Sequence, residues 1–353
     1  MAYTSSYTML KRCKQIETMW ESVPYGCIPP KTTQMEDKSY TELKMETFNH
    51  TSFNDFTLLS FTSLQHFQVV MFPFILLTYV ICIMGNSAII AIVQTERSLH
   101  TPMYYYISVF AFLEIIFVSS TIPNLLVNLV SGRQKISFIG CFTQLYVFNS
   151  LGVTECYLLA VMVFDRHLAI HNPLHYPSIM NNEFCMKLSV LPWVVGFLIV
   201  LAPTIITARL PYCGPHEINH FFCDFAPLQS IACSIPFYVI VITSSVAFID
   251  VVVPFIIILG FYVHIIVTVL KIKSGDGKKK AFSTCSSHLI VASLFYGTAT
   301  IVYVKPKGSQ YDKFLALMYT AVTPLVNPFI YTFRNRDVKG VFRRYLGCLG
   351  KKK

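Results

Sequence analysis

The chain has 353 residues, of which 54% are hydrophobic and only 13% charged, a composition far too apolar for a soluble protein of this size. Its net charge of +10 is spread over a tail and short loops, without the aromatic and glycine interleaving of a nucleic-acid surface, so it bears on membrane orientation and not on an RNA or DNA partner. A hydrocarbon core of about 30 Å takes roughly 20 apolar residues per helix, and seven segments between Phe67 and Phe333 meet that measure.

The prediction is therefore an all-α membrane protein. It comprises an N-terminal tail over residues 1–65, a seven-transmembrane helix bundle over 66–334, and a tail with an amphipathic surface helix over 335–353. The first 65 residues lack an apolar run behind a basic start, so no cleavable signal peptide is expected and the first helix serves as the insertion signal. Residues 1–44 have mixed charge and no apolar periodicity, and are expected to be disordered. Asn49-His50-Thr51 is a glycosylation sequon, with Asn49 as acceptor.

The first helix runs from about Phe67 to Val93 without a charge and carries Gly85-Asn86, whose buried amide must find partners. The second begins at Pro102, where a missing N–H costs nothing, and continues to about Val130 with Glu114 inside it. The third opens near Cys141 and contains Glu155. Asp165 follows Cys141 by 24 residues, about 36 Å at 1.5 Å per residue, a full bilayer crossing. The sequence then reads Asp165-Arg166-His167, and Pro173 and Pro177 forbid the helix from continuing. An acid beside a base at a helix end is also the pattern of a solvated cap.

The fourth helix spans about Met186 to Ala208, and a long loop with Cys213, Cys223 and Cys233 follows. The fifth covers about Phe237 to Leu270, with Asp250, Pro254 and Tyr262. The sixth ends near Val304, and the seventh spans about Phe314 to Phe333. Beyond it Val338, Val341, Phe342, Tyr345 and Leu346 share one face opposite Arg336, Lys339, Arg343 and Arg344, the pattern of a helix lying on a membrane surface. Cys348 reads equally as a palmitoylation site or as an exposed thiol.

Lys271, Lys273, Lys278, Lys279 and Lys280 fall in one loop, and Arg334, Arg336, Lys339, Arg343 and Arg344 follow the last helix. The positive-inside rule puts both on the cytoplasmic side and, with seven spans, the N-terminus outside a plasma membrane. Four cysteines then lie in an oxidising place, where disulfides are favoured over metal.

Several stretches resemble one family. Met162 to Tyr176 is similar to the MAYDRYVAICNPLHY signature of olfactory receptors, a branch of the rhodopsin-like G-protein-coupled receptors. Leu99-His100-Thr101-Pro102-Met103-Tyr104 matches their LHTPMY. Residues 281–289 resemble KAFSTCxSHL, and Pro324 to Tyr331 resembles PLxNPxIY. Met45 to Thr51 looks like the usual start of such a receptor, so residues 1–44 are an extension and Met45 an alternative start.

The resemblance implies disulfides Cys141–Cys223 and Cys213–Cys233. His220-Phe221-Phe222-Cys223-Asp224 could be written as a metal motif, but it would require a cysteine so assigned, which disfavours metal there. It implies a small volatile odorant bound between the outer halves of helices three, five, six and seven. Candidate contacts are Phe148, Asn149, Gly152 and Val153, then Val246, Ala247 and Asp250, then Ala299, Thr300 and Tyr303. At the inner end Arg166 would hold the resting state with Asp165 and meet Tyr262 and Tyr331 on activation, admitting a stimulatory heterotrimeric G protein that raises cyclic AMP. Val163, Phe164 and His167 depart from the signature's Ala, Tyr and Tyr.

Glu114 and Glu155 are costly in a bilayer and must face the bundle. Either they are protonated and hydrogen-bonded to Asn86 and Asn327, or a sodium ion sits between them; the resemblance favours sodium, and no other cofactor is expected. Asp250 has two readings: a polar repair of the gap left by Pro254, whose ring cannot donate to the carbonyl of Asp250, or a pocket acceptor for a donor on the ligand. No nucleophile elbow, phosphate loop or His-Glu zinc motif appears, so an enzyme is not expected. A transporter or channel using the intramembrane acids is the alternative, but it predicts inverted repeats and glycine-broken helix pairs, and neither is visible.

Overall fold

The computed structural model describes residues 55–61, 65–131, 135–271, 275, 289–298, 311–334, 338, 340 and 341; the side chains of 65–67, 311, 312 and 331–334 are outside that description. Asn49, Cys285, Ala299, Thr300, Tyr303 and Cys348 therefore lie outside the described residues, as do the Lys273–Lys280 lysines, and so does the side chain of Tyr331.

Six helices among the described residues are long and apolar enough to cross a membrane. In chain order, α1 is Gln65–Thr95, α2 Pro102–Ser131 and α3 Phe138–His171, then a single turn α4 Tyr176–Ile179, and α5 Asn182–Ala208. A short α6 Phe225–Ser230 precedes α7 Phe237–Lys271. Leu289–Thr298, here α8, is a shorter apolar stretch. The last crossing joins α9 Tyr311–Leu317, a π turn Met318–Val322, and α10 Thr323–Arg334. The π turn has a local cause: Pro324 has no N–H for the carbonyl four residues back, and a wider turn re-pairs the backbone around that gap.

The outward faces remain apolar. Val70, Phe74 and Met84 on α1 and Phe237, Phe248, Ile256 and Leu270 on α7 are all exposed, a surface that water would penalise and hydrocarbon accepts. Inside, α3 is the most buried of the crossings. At Gly196 on α5 a Cβ would stand 2.5 Å from both the Ser150 carbonyl oxygen and Thr154 Oγ1 of α3, so only a glycine lets these backbones approach so closely. Gly85 on α1 plays a milder version of this role against Pro328 of α10, at 3.2 Å.

A small sheet stands beside this helical body. Strand β1 (Asp55–Leu58) lies between β2 (Lys135–Ser137), antiparallel, and β3 (Glu217–Ile218), parallel. Phe56 and Leu58 point into a separate apolar cluster with Phe142, Leu145, Ile218 and Leu228, and Tyr212 meets the Phe56 ring edge-on at 5.3 Å. The expected N-terminal tail thus ends in an ordered strand. Its Asp-Phe-Thr-Leu alternation is four residues long, too brief to stand out from polar surroundings. Lys313 at the start of the last crossing donates to the carbonyls of Leu59 and Ser60, holding this strand's exit to the bundle.

Candidate functional site

α3 carries the polar chemistry at both of its ends. Where the bundle meets the sheet, two disulfides close the loop after α5: Cys141–Cys223, with Cα atoms 5.5 Å apart, and Cys213–Cys233, at 5.2 Å. These are the pairs that the resemblance implies. Gln144 reinforces the first by accepting from the Cys223 N–H at 3.1 Å while its amide donates to the Ser120 carbonyl of α2 at 3.0 Å.

Just inside this lid lie several of the expected ligand contacts. Phe148 is buried and stacks on Phe117 at 4.8 Å, with Phe222 of the lid at 4.7 Å. Asn149 donates to Asp224 Oδ1 at 3.3 Å. Gly152 leaves room for Tyr319, whose hydroxyl would be 3.4 Å from a Cβ placed there. Val153 is buried, Val246 is half-buried, and Asp250 is buried within electrostatic reach of Cys156 and Tyr157. Asp250 Oδ1 has no hydrogen-bond partner among the described residues, which leaves an acceptor open. Ala247, one residue on from Val246 and so rotated by about 100°, is exposed and does not share the buried face of Asp250.

Sequence reasoning missed the ring cluster that organises this region. Phe117 of α2, Tyr319 of the π turn and Phe295 of α8 meet at 5.6 and 5.7 Å, and Tyr296 of α8 donates to the Cys156 carbonyl of α3 at 3.4 Å. No motif marks these residues, because each sits in a uniformly apolar segment.

At mid-bundle Glu114 and Glu155 are both almost fully buried and close enough to interact electrostatically. Asn327 Nδ2 donates to Glu114 Oε1, one of the two expected amide contacts. The other is corrected: Asn86 donates back to the Cys82 carbonyl at 3.0 Å and to its sulfur, because the carbonyl four residues earlier on its own helix is the nearest acceptor. Glu114 Oε2 and Asn327 Oδ1 lack partners among the described residues. Glu114 Oε2 and the Asn327 amide oxygen, buried without donors beside the Glu155 carboxylate, are a donor set suited to a hard cation such as sodium.

The opposite end of α3 holds the Asp165–Arg166 pair. Both residues are buried, with the whole residues 1% and 9% exposed, so the pair is no solvated cap. Arg166 Nε donates to Asp165 Oδ2 at 2.8 Å and a second guanidinium nitrogen reaches the same oxygen. Tyr176 of α4 completes the set, its hydroxyl donating to Asp165 Oδ1 at 2.7 Å. Burial and the charge of Asp165 push the Tyr176 hydroxyl pKa above its ordinary value, so it stays a donor. Tyr176 closes the same stretch of sequence that carries Asp165, and Pro173 in the intervening turn was the sign that the chain folds back there. Tyr262 of α7 is buried too.

Among known proteins, the olfactory receptor family model matches residues 75–348. The chain is 48% identical over 300 residues to olfactory receptor 11H6 of Homo sapiens, covering 83% of this chain and 90% of that protein. Olfactory receptor 6N1 of Homo sapiens is 42% identical over 309 residues, 87% of this chain and 99% of the relative. Olfactory receptor 6E1 of Mus musculus is 44% identical over 309 residues, with 84% and 96% covered.

Proposed function

The chain belongs to the olfactory receptor family, and from that premise we propose that it binds a small volatile odorant inside the bundle and passes the signal to a stimulatory heterotrimeric G protein at the Asp165–Arg166 end, raising cyclic AMP. It is a multi-pass membrane receptor and not an enzyme. Its orientation in the plasma membrane, N-terminus outside, is supported by the basic residues after α7 and α10.

The observation that carries the mechanism is that one helix holds both candidate sites. Phe148 and Asp165 are 17 residues apart on α3, about 25 Å along its axis. The ligand wall comprises Phe148, Asn149, Gly152, Val153, Val246 and Asp250, with Ala299, Thr300 and Tyr303 expected to join it and Phe117 and Tyr319 added beside them. Asp250 offers an acceptor to an alcohol or amine. At the far end the Asp165–Arg166–Tyr176 set holds the resting arrangement, and its opening frees Arg166 for Tyr262 and Tyr331. A ligand drives that opening only by binding the open arrangement more tightly than the closed one. Sodium, when bound, would be held by Glu114, Glu155 and Asn327 and would supply the charge that two buried carboxylates need.

The experiment is a cyclic-AMP reporter screen of the full chain against an odorant panel, with Arg166→Ala at matched surface level as control. At least one agonist should raise cyclic AMP in the parent chain and fail to do so in Arg166→Ala. An equal response from both would overturn the role of the pair. Ligand-driven ion flux in protein-only liposomes would favour the transporter alternative instead.

A further inference from the structure

Beyond Arg166, α3 and α7 bring three histidines together at the bundle's Asp165–Arg166 end. His167 and His171 are four residues apart and therefore share one face of α3, their rings nearly parallel with centroids 5.5 Å apart. His264 of α7 faces both, at 4.8 and 4.6 Å between centroids. One ring nitrogen or another of each lies within 4.8 Å of those on the other two, and His167 Nε2 is 2.6 Å from His264 Nδ1. The other His167 nitrogen, Nδ1, is buried and has no hydrogen-bond partner among the described residues.

We propose that His167, His171 and His264 form a binding site for a borderline divalent transition-metal ion, zinc foremost, that ties α3 to α7. The donor chemistry selects the ion. Three neutral imidazoles suit zinc and its neighbours, whereas calcium and magnesium require oxygen ligands that this cluster lacks. Two histidines at the four-residue helical spacing are the arrangement by which a helix presents paired nitrogens to zinc, and a third from another helix leaves the fourth position to water. Nitrogens about 2.0–2.1 Å from a tetrahedral ion stand about 3.4 Å from one another, a spacing bracketed by the 2.6 Å contact and the 4.8 Å limit.

Packing does not account for the cluster as well. Three imidazoles carry six ring nitrogens, and their mutual contacts pair a single couple of them; protonating any ring sets it against its neighbours. Phe261 lies 5.0 Å from His167 and backs the site with an apolar wall, while His171 and His264 are exposed, so an ion can enter from the aqueous side. At two of the three positions the chain departs from the signature quoted above, with His167 in place of its tyrosine and His171 in place of its cysteine.

The three rings are gathered while Asp165, Arg166 and Tyr176 are joined, so an ion that binds this arrangement adds to its population. Zinc would then oppose opening of the pair. That consequence rests on the receptor reading; the binding of metal does not.

The test uses the full chain, purified without a polyhistidine tag and held in lipid nanodiscs. Cobalt(II), a spectroscopic stand-in for zinc, should give the intense visible absorption of four-coordinate nitrogen ligation, with one ion bound per chain and displaced by zinc but not by magnesium or calcium. His171→Gln and His264→Gln should each weaken zinc binding by more than about tenfold, as loss of a ligand must exceed the effect of losing a supporting residue. A second measurement needs no variant: zinc should protect His167, His171 and His264 from diethylpyrocarbonate, read by peptide mass spectrometry. No saturable zinc binding, parent-like binding in both glutamine variants, or protection confined to other histidines would each overturn the site. An absence of odorant response would leave these results untouched, since none of them reads signalling.

Discussion

Tyr176→Phe removes a single hydroxyl from the Asp165–Arg166 set. The change removes a hydroxyl and keeps the ring, so what is lost is the 2.7 Å donation to Asp165 Oδ1 and a longer contact of 3.4 Å with Arg166. Asp165 is 1% exposed, so water does not readily replace the missing donor. A hydrogen bond to a charged group contributes about 1.5–3 kcal/mol, and about 1.4 kcal/mol is a factor of ten in an equilibrium constant. The closed arrangement should therefore lose about ten- to a hundredfold of its advantage over the open one. The assay is ligand-free cyclic AMP at surface levels matched by flow cytometry. Basal signal should rise by roughly tenfold or more before the reporter saturates, while the agonist-stimulated maximum stays within reach of the parent. A basal signal unchanged or lowered, with normal surface display, would refute the assignment of Tyr176 as part of the latch.

Cys141→Ser and Cys223→Ser should each abolish surface display, because losing a disulfide from a closed loop costs about 2–5 kcal/mol and leaves a fully buried thiol without its partner; normal antibody staining of intact cells would contradict this. Gly196→Ala should lower the melting temperature in nanodiscs, since the new methyl meets a backbone oxygen at 2.5 Å that cannot rotate away, an overpacking cost of about 1–3 kcal/mol; an unchanged melting temperature would mean that α5 shifts freely. Asp250→Asn should remove amines from the agonist spectrum while leaving surface level near normal, because it deletes the charge at the open Oδ1 acceptor; an unaltered spectrum would leave Asp250 as a local repair of the Pro254 gap.

The helices were legible because bilayer thickness sets their length. Pro102 begins α2 where its missing N–H predicts, and the boundary of α3 falls at His171, two residues before Pro173. The pair at Asp165–Arg166 was legible from its neighbours, but its burial was not, since nothing local distinguishes a capped helix end from one covered by Tyr176. The rings of Phe117, Phe295 and Tyr319 that gather around Phe148 were hidden for a different reason. In a chain with 29 phenylalanines, position along the sequence does not say which aromatic faces lipid and which faces α3. Strand β1 depended on partners 80 and 160 residues away, Ile136 and Ile218, and a four-residue alternation carries no trace of either. The histidine cluster was not read from the sequence: His167 and His171 stand four residues apart without a motif to mark them, and His264 joins them only through the crossing of α3 with α7.

The polar contacts along α3 also constrain how a signal can travel. Asn149 meets Asp224 of the lid, Glu155 faces Glu114 of α2, which is bonded to Asn327 of α10, and Asp165 meets Tyr176 of α4. Each partner comes from a different element, while the α3 groups share one uninterrupted helix with no internal proline. Helices bend at prolines, glycine pairs or π turns, and the last crossing has both, the π turn Met318–Val322 beside Tyr319 and then Pro324 and Pro328. If the proposed odorant presses on the Phe148–Tyr319 contact, it meets a stiff helix on one side and a wide turn on the other. The wide turn is then the side expected to yield first, and it leads within five residues to Asn327 and its bond to Glu114. On the proposed reading, the movement this arrangement favours is one of α10 against α2, to which the Asn327–Glu114 bond ties it, with α3 as the stiffer partner across the Phe148–Tyr319 contact.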